Sequence, residues 1–255
     1  MVDDPVADDP VADQAGEADT VDEDGSTSGA TVASTDGRPG ADELRAADGR
    51  RPGRRGMATR QRLLDCTATM LSAGAYRELK VVDIAREAGT SPATFYQYFA
   101  DVESAVVALA EEMAAKGRGF ADTVRTATWK GRKGYLAAEA LADEVIAFWE
   151  EHGAVMRVVD LATDEGDARF ANVRTRLLND LNNALADALA EARAAGRIPD
   201  DVEPQATAGV LVSMLVHVAA HRYGFEFWGV RTADLRTSMA RIVFWSISGQ
   251  KPPPS

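Results

Sequence analysis

Residues 80–99 read KVVDIAREAGTSPATFYQYF, and this stretch decides the fold around it. Its apolar spacing predicts a short helix that ends at Ala88, a three-residue turn that opens with Gly89, and a second short helix. Glycine suits the turn because it adopts left-handed backbone without steric cost. Ser91 and Pro92 suit the start of the second helix as N-cap and first helical residue. The pattern predicts a helix-turn-helix.

The second helix of this motif has an apolar and a polar face. Phe95 and Phe99, four residues apart, form the inner face. The residues on or beside the other face carry hydroxyls or a carboxamide, which suit phosphate oxygens and base edges in a major groove: Thr94, Tyr96, Gln97 and Tyr98. On spacing alone, a small helical bundle with an aromatic core pair is an equal alternative.

Charge is unevenly distributed along the chain. The formal net charge is −12, but residues 1–56 alone hold 14 acidic and 6 basic side chains. This acidic tail is expected to be disordered, because it cannot bury enough apolar surface to offset its conformational entropy. Residues 45–56, at its end, form a basic arm. The arm favours DNA binding because Arg50, Arg51, Arg54 and Arg55 can neutralise phosphates.

The remaining chain is predicted to be all-α, with a three-helix DNA-binding domain at 57–103, a larger helical domain at 104–249 and a C-terminal tail at 250–255. Asp101 is the expected N-cap of the fourth helix. Helical pattern is lost for some 15 residues after Gly117. Further helices are expected at Tyr135–His152, Ala154–Thr163, Asp167–Ala195, Pro204–Tyr223 and Thr232–Ser248.

Several classes of protein and site are disfavoured. The single Cys66 excludes an internal disulfide framework. The sequence has no GxxxxGK[ST], GxSxG or HExxH motif, so an enzyme is disfavoured and no catalytic residue, metal ion or cofactor is predicted. The longest apolar run, 206–220, is short for a membrane helix. The acidic N-terminus does not resemble a signal peptide. A cytoplasmic protein without a membrane partner is expected.

Three segments between Thr59 and Met113 carry a more specific signal: RLLD at 62–65, VDIAREAG at 82–89 and SPATFYQYF at 91–99. Together they resemble the DNA-binding domain of the TetR/AcrR family of one-component transcriptional regulators. The resemblance implies a homodimer that binds a pseudo-palindromic double-stranded DNA operator, with one recognition helix per subunit. It also implies a C-terminal domain that binds a small effector. A repressor released by its effector is expected, with the fourth helix as the coupling element.

The resemblance also assigns DNA contacts. Thr94 and Gln97 match positions that contact bases or nearby phosphates, and Lys80 matches a position at the start of the motif that touches the DNA backbone. The predicted set in the domain is Lys80, Ser91, Thr94, Tyr96, Gln97 and Tyr98, to which the arm adds Arg50, Arg51, Arg54 and Arg55.

Two departures from the family pattern weaken phosphate anchoring by the domain itself. Val82 and Val102 stand where the family usually has basic residues. We hypothesise that the arginine arm compensates by reaching along the DNA backbone or into the minor groove. The same departures leave a non-DNA-binding adaptor of this fold as the alternative function.

The C-terminal domain carries broad apolar surfaces. Residues 210–220 are apolar on every side, and the last helix repeats the pattern, which favours a four-helix dimer interface over a fully buried monomer core. A mainly apolar effector is expected from the Met and aromatic residues available. The candidate pocket residues, for which ordinary core packing is the alternative, are Phe148, Trp149, Met156, Val159, Phe170, Leu177, Met214 and His217.

Overall fold

The structure, a computed structural model, describes residues 53–253, and within that range it is all-α, which confirms the predicted fold class. It contains a 3₁₀ turn at Tyr76–Glu78. The helices are α1 (Arg54–Ala73), α2 (Val81–Glu87), α3 (Pro92–Tyr96), α4 (Val102–Lys116), α5 (Gly119–Thr126), α6 (Gly131–Asp164), α7 (Ala168–Ala194), α8 (Pro204–Phe227) and α9 (Thr232–Ser248).

Helices α1 to α3 pack around a small core of their own, to which α4 adds one residue. Phe95 of α3 is completely buried at its centre, and its ring lies 5.5 Å from that of Phe99. Arg60 covers the Phe99 ring at 5.4 Å. The buried members of this core are Leu63, Leu64, Ile84, Ala85, Ala88, Phe95, Phe99 and Ala105.

Helix α1 begins at Arg54, three residues before the predicted start of the domain at 57. Arg54 and Arg55 are therefore helical, which corrects their assignment to an arm outside the domain. Both are exposed in the first turn. Arg50, Arg51 and the acidic tail lie outside the described residues, so what was expected of them remains a prediction.

The C-terminal domain departs from prediction at α5 and α6. Helix α6 is one helix of 34 residues where two were expected, because Gly153 does not break it. A glycine inside a helix costs about 1 kcal/mol, and burial of the flanking Val155, Met156 and Val159 outweighs that cost. Helix α5 lies in the stretch expected to lack pattern. It buries Phe120 and Val124, but eight residues are too few to show a period.

Helix α4 joins the two domains through adjacent glutamates. Its N-cap is Asp101, as predicted, with Ser104 N–H donating to the carboxylate at 2.6 Å. Glu112 accepts from Arg60 of α1 at 2.9 Å, and the neighbouring Glu111 accepts from Arg176 of α7 at 2.8 Å. The α4 backbone thus connects the domain of α1 to α3 to the C-terminal bundle.

A second contact joins the domains at the far end of α6. Arg77, in the 3₁₀ turn, donates to Glu165 at the α6–α7 corner at 2.8 Å. Burial raises the pKa of the Tyr76 hydroxyl to about 12, and the neighbouring Glu103 carboxylate adds to the effect.

Among the described residues, no helix combines the length and apolar character of a membrane span.

Candidate DNA-binding surface and effector cleft

The turn of the motif has the geometry expected of a helix-turn-helix. Gly89 has φ +65°, which is left-handed backbone. Its N–H donates to the Arg86 carbonyl at 3.0 Å, and the N–H of Thr90 donates to the Ala85 carbonyl at 2.9 Å. These bonds end α2 and set the direction in which α3 leaves.

Replacing Gly89 with alanine is expected to lower stability by about 1–2 kcal/mol, because a Cβ atom is strained at this φ. DNA affinity should fall with it, since the turn orients α3. Thermal unfolding and DNA titration measure the two effects. Gly119→Ala is the matched control, because a Cβ there meets no atom within 4 Å and φ is not positive. Equal behaviour of the two variants would show that the turn tolerates a side chain.

The start of α3 is fixed by the residues predicted to do so. Ser91 is the N-cap, and its hydroxyl accepts from the Thr94 N–H at 3.2 Å. The two hydroxyl oxygens lie 3.0 Å apart, so each side chain orients the other. Ser91 is exposed and Thr94 is half-buried.

The rest of the predicted contact set lies at the end of α3 and the start of α2. Tyr96 is 52% exposed and stands edge-on to Phe95 at 5.9 Å. Helix α3 ends at Tyr96 instead of near Phe99, so Gln97 and Tyr98 belong to a tighter turn, in which Gln97 N–H donates to the Thr94 carbonyl at 3.2 Å. Gln97 is exposed, and Lys80 is exposed at the N-cap position of α2.

A cleft of about 1230 Å³ opens between α6, α7 and α8 and reaches Ser72 of α1. Apolar side chains contribute to its lining, namely Met156, Leu178, Val212 and Val216. Polar and charged side chains of the same three helices make up most of the rest. This composition does not support the expectation of a mainly apolar effector.

Only part of the predicted pocket set lies at this cleft. Trp149, Met156 and His217 line it. Val159 and Phe170 are completely buried in the core of the bundle, and so, almost completely, are Phe148 and Leu177. Met214 is half-buried and packs against that core. The correction has a simple cause: large apolar side chains in helices mostly face the core.

Ion pairs neutralise much of the charge at the cleft. Arg222 is 5% exposed, and its guanidinium lies 3.3 Å from Glu150, donates to the Tyr223 hydroxyl at 2.7 Å and covers the Tyr223 ring at 4.2 Å. Arg174 of α7 donates to Asp160 of α6 at 3.1 Å. Sequence reasoning missed these residues, although polar or small residues recur every three or four positions on α6, at Glu150, Gly153, Arg157, Asp160 and Asp164.

The two histidines of α8 stack on each other. The rings of His217 and His221 are 4.2 Å apart, and Nδ1 of His221 lies 3.0 Å from the His217 carbonyl oxygen. In residues 53–253 no group of three or more histidine, cysteine or carboxylate side chains is arranged to hold a metal ion.

The third histidine, His152, sits on the side of α6 near Phe148, whose ring lies 4.8 Å away. Burial lowers the pKa of His152, and the nearby Glu151 carboxylate opposes the shift. A histidine held neutral stabilises the fold above its unfolded-state pKa of 6.5 and less so as pH falls below it. We expect stability to fall below pH 6.5, and to fall less in His152→Gln. The control is His221→Gln, because His221 is exposed. Denaturant titrations at pH 7.5 and 5.5 measure the free energy of unfolding of both variants and of the wild-type protein.

Comparison with known proteins agrees with this geometry. Residues 63–104 match the family model described as bacterial regulatory proteins, tetR family, and residues 120–254 match the tetracyclin repressor-like C-terminal domain. The fold and motif define a helix-turn-helix transcriptional regulator. The chain belongs to the tetR family. No curated protein matches the chain.

Solved structures share the fold at low identity. A protein of unknown function from Rhodococcus sp. RHA1 is 19% identical, with a TM-score of 0.58, covering 74% of this chain and 95% of its own. The fatty acid degradation regulator FadR from Bacillus halodurans is 15% identical, with a TM-score of 0.56 and coverage of 76% and 97%. FadR from Bacillus subtilis, solved with stearoyl-CoA, is 16% identical, with a TM-score of 0.55 and coverage of 74% and 98%.

Proposed function

We propose that this chain is a repressor that binds a pseudo-palindromic DNA operator as a homodimer and is released by a small effector. The observation that carries the proposal is the helix-turn-helix, with Tyr96 and Gln97 exposed at the end of α3 over a buried Phe95. Lys80 and Ser91 stand exposed at the starts of its two helices, where backbone phosphates are accessible. A regulator of chromosomal DNA acts in the cytoplasm.

The exposed sides of α8 and α9 support the homodimer. Along α8 a seam with 3–4 spacing, the spacing of helix–helix interfaces, runs through Val210, Ser213, His217, Ala220, Gly224 and Phe227. This seam borders the cleft, which Ser213, His217 and Ala220 also line. The same spacing recurs on α9, at Leu235, Ser238, Ile242 and Trp245. Val210, Phe227 and Trp245 are 67%, 85% and 64% exposed, which is costly for large apolar side chains without a partner.

Trp245→Glu should convert the dimer to a monomer and lower DNA affinity. Sedimentation of the purified variant measures its oligomeric state.

The cleft and the two interdomain contacts support release by an effector. A molecule bound between α6, α7 and α8 would touch Ser72 of α1 as well as Thr163 near the end of α6. The end of α6 contacts the DNA-binding domain through the ion pair between Arg77 and Glu165. Helix α4 contacts α7 through Glu111 and Arg176, and it contacts α1 through Glu112 and Arg60. A ligand shifts the protein away from DNA to the extent that it binds the DNA-incompetent arrangement better.

The test is titration of the purified protein against its own upstream intergenic DNA at two salt concentrations, with an unrelated fragment as competitor. Selective, salt-sensitive binding with two chains per site supports the proposal.

A non-DNA-binding adaptor is the second candidate, favoured by Val82, which is 58% exposed where the family usually has a basic residue. The adaptor hypothesis predicts no salt-dependent DNA affinity. If the chain were an enzyme, it would turn over a substrate in the absence of DNA.

A further inference from the structure

Two histidines stand one turn apart on the side of α8 that faces the cleft. His217 and His221 are both exposed, both line the cleft, and their rings stack at 4.2 Å. Residues four apart on a helix share one face. Imidazole is a preferred ligand of zinc and similar divalent ions, and a histidine pair with this spacing can bind one ion through both rings. The pair therefore supplies two of the ligands that such an ion needs.

A hydrogen bond of His221 leaves one ring nitrogen free to bind a metal ion. Nδ1 of His221 lies 3.0 Å from the His217 carbonyl oxygen. A carbonyl oxygen only accepts, so Nδ1 carries the proton, and in the neutral ring the lone pair is on Nε2. Metal-bound histidines commonly hold their other nitrogen in this way, because the bond fixes the tautomer and the direction of the ring. His221 is thus oriented as a ligand by its own helix.

The charge around the pair is compatible with a cation. The neighbouring guanidinium of Arg222 is turned to Glu150 at 3.3 Å, and Arg222 is 5% exposed, so its charge is compensated away from the rings. Four carboxylates and three guanidinium groups line the cleft as a whole. The cleft, of about 1230 Å³, gives an ion a path to both histidines.

One chain does not complete this site. Zinc in proteins is held by three or four protein ligands, and a structural site has all four. Within the part of the chain that the structure describes, no third histidine, cysteine or carboxylate is arranged to join the pair. The remaining ligands must therefore come from outside the chain.

The position of the pair in the α8 seam indicates a second copy as their source. The seam runs from Val210 to Phe227, and the two histidines straddle its midpoint. In a two-fold dimer the same patch of each chain meets the other, so residues next to the axis face their own copies. Two α8 helices that pair along this seam and cross at its midpoint bring four imidazoles together.

Small residues of the seam allow the two helices to approach. Ser213, Ala220 and Gly224 flank the histidines on the same side of α8, and the distance between packed helices depends on the size of the side chains at the contact. A Cβ atom at Gly224 would meet no other atom within 4 Å. Packing within one chain therefore does not require glycine at this position, whereas close approach of a second helix makes use of it.

We infer that the dimer of this chain binds one divalent transition-metal ion, for which Zn²⁺ is the probe, through His217 and His221 of both copies. The four imidazoles provide the tetrahedral nitrogen environment that zinc accepts, in a bundle core of the kind where facing helices build metal sites. The inference rests on the homodimer of the proposed function. Because the ion binds the dimer and not the separate chains, it stabilises the dimer.

The first test is calorimetric titration of the full chain, purified without a histidine tag. It should find one Zn²⁺ bound per two chains, and no binding of Mg²⁺, which prefers oxygen ligands. His217→Ala and His221→Ala should each lower Zn²⁺ affinity at least about a hundredfold, since losing a group that only supports a ligand already costs about 10–100-fold. His152→Gln is the matched control, because the third histidine lies outside the lining of the cleft.

Sedimentation equilibrium in EDTA and in Zn²⁺ gives a second readout. At free Zn²⁺ about a hundred times its Kd, the dissociation constant of the dimer should fall about a hundredfold. The two alanine variants should lose this shift while their metal-free dimer persists, because the apolar residues of the seam are unchanged. One Zn²⁺ per chain, no Zn²⁺ binding, unchanged affinity in both alanine variants, or a dimer that does not respond to Zn²⁺ would overturn the inference.

Selective DNA binding is titrated in EDTA alongside, so that the two proposals can fail separately. If the metal-free protein is a dimer that binds its DNA selectively and Zn²⁺ does not bind, the metal site alone is wrong. If one Zn²⁺ binds per two chains and selective DNA binding is absent, the proposed function fails and the metal site stands.

Discussion

Replacing Arg54 and Arg55 together with alanine is expected to stabilise α1 and weaken DNA binding. The first turn of α1 holds two arginines and no acidic residue. Positive charge there opposes the helix dipole, which in general costs about 0.3–1 kcal/mol per charge at a helix end. Alanine removes that cost. If the arginines bind phosphates, affinity falls roughly tenfold or more, since hydrogen bonds to charged groups contribute about 1.5–3 kcal/mol.

Salt dependence separates this effect from a general loss of structure. The slope of log K against log salt should fall by about 0.9 for each phosphate contact removed. The control is Arg132→Ala with Lys133→Ala, an equal change of charge in the first turn of α6. That turn lies about 50 Å along α6 from the corner that contacts Arg77. Unchanged affinity and slope in the Arg54/Arg55 variant would exclude these arginines from DNA binding.

Replacing Phe95 with alanine is expected to unfold the DNA-binding domain while the C-terminal bundle stays folded. Phe95 is completely buried in a core of eight residues, and phenylalanine-to-alanine changes in cores cost about 3–5 kcal/mol. So small a core has little stability to lose. Thermal unfolding followed by circular dichroism should show an early transition that the wild-type protein lacks, together with loss of DNA binding.

The neighbouring Tyr96→Ala is the control for this variant. Tyr96 is 52% exposed, so its removal should change stability little. DNA binding should still weaken if the ring or hydroxyl contacts phosphate. A single wild-type-like transition in Phe95→Ala would mean that the core around α3 does not hold the motif together.

The helix-turn-helix could be predicted from the sequence because its signals are local. A serine N-cap, a proline at the first helical position and a glycine with left-handed backbone each act within a few residues. The same holds for Asp101, which caps α4 as its position in the sequence indicates. These features need no tertiary information.

The continuity of α6 and the lining of the cleft could not be predicted in the same way. Gly153 is a helix-breaking signal on its own, and only burial of residues on both sides keeps the helix intact. The pocket was expected among Met and aromatic side chains, yet most of those fill the core. The usable signal was the opposite one: polar or small residues at 3–4 spacing on α6, at Glu150, Gly153, Arg157, Asp160 and Asp164.

Selective DNA recognition by the helix-turn-helix is the central claim, and selection of bound fragments from sheared DNA of the source genome tests it most directly. The wild-type protein should enrich a small set of fragments that share one inverted repeat, with half-sites about one helical turn or a multiple of it apart. Gln97→Ala should fold normally and lose that enrichment. Recovery of fragments in proportion to their abundance by the wild-type protein, or equal enrichment by both proteins, would contradict the account.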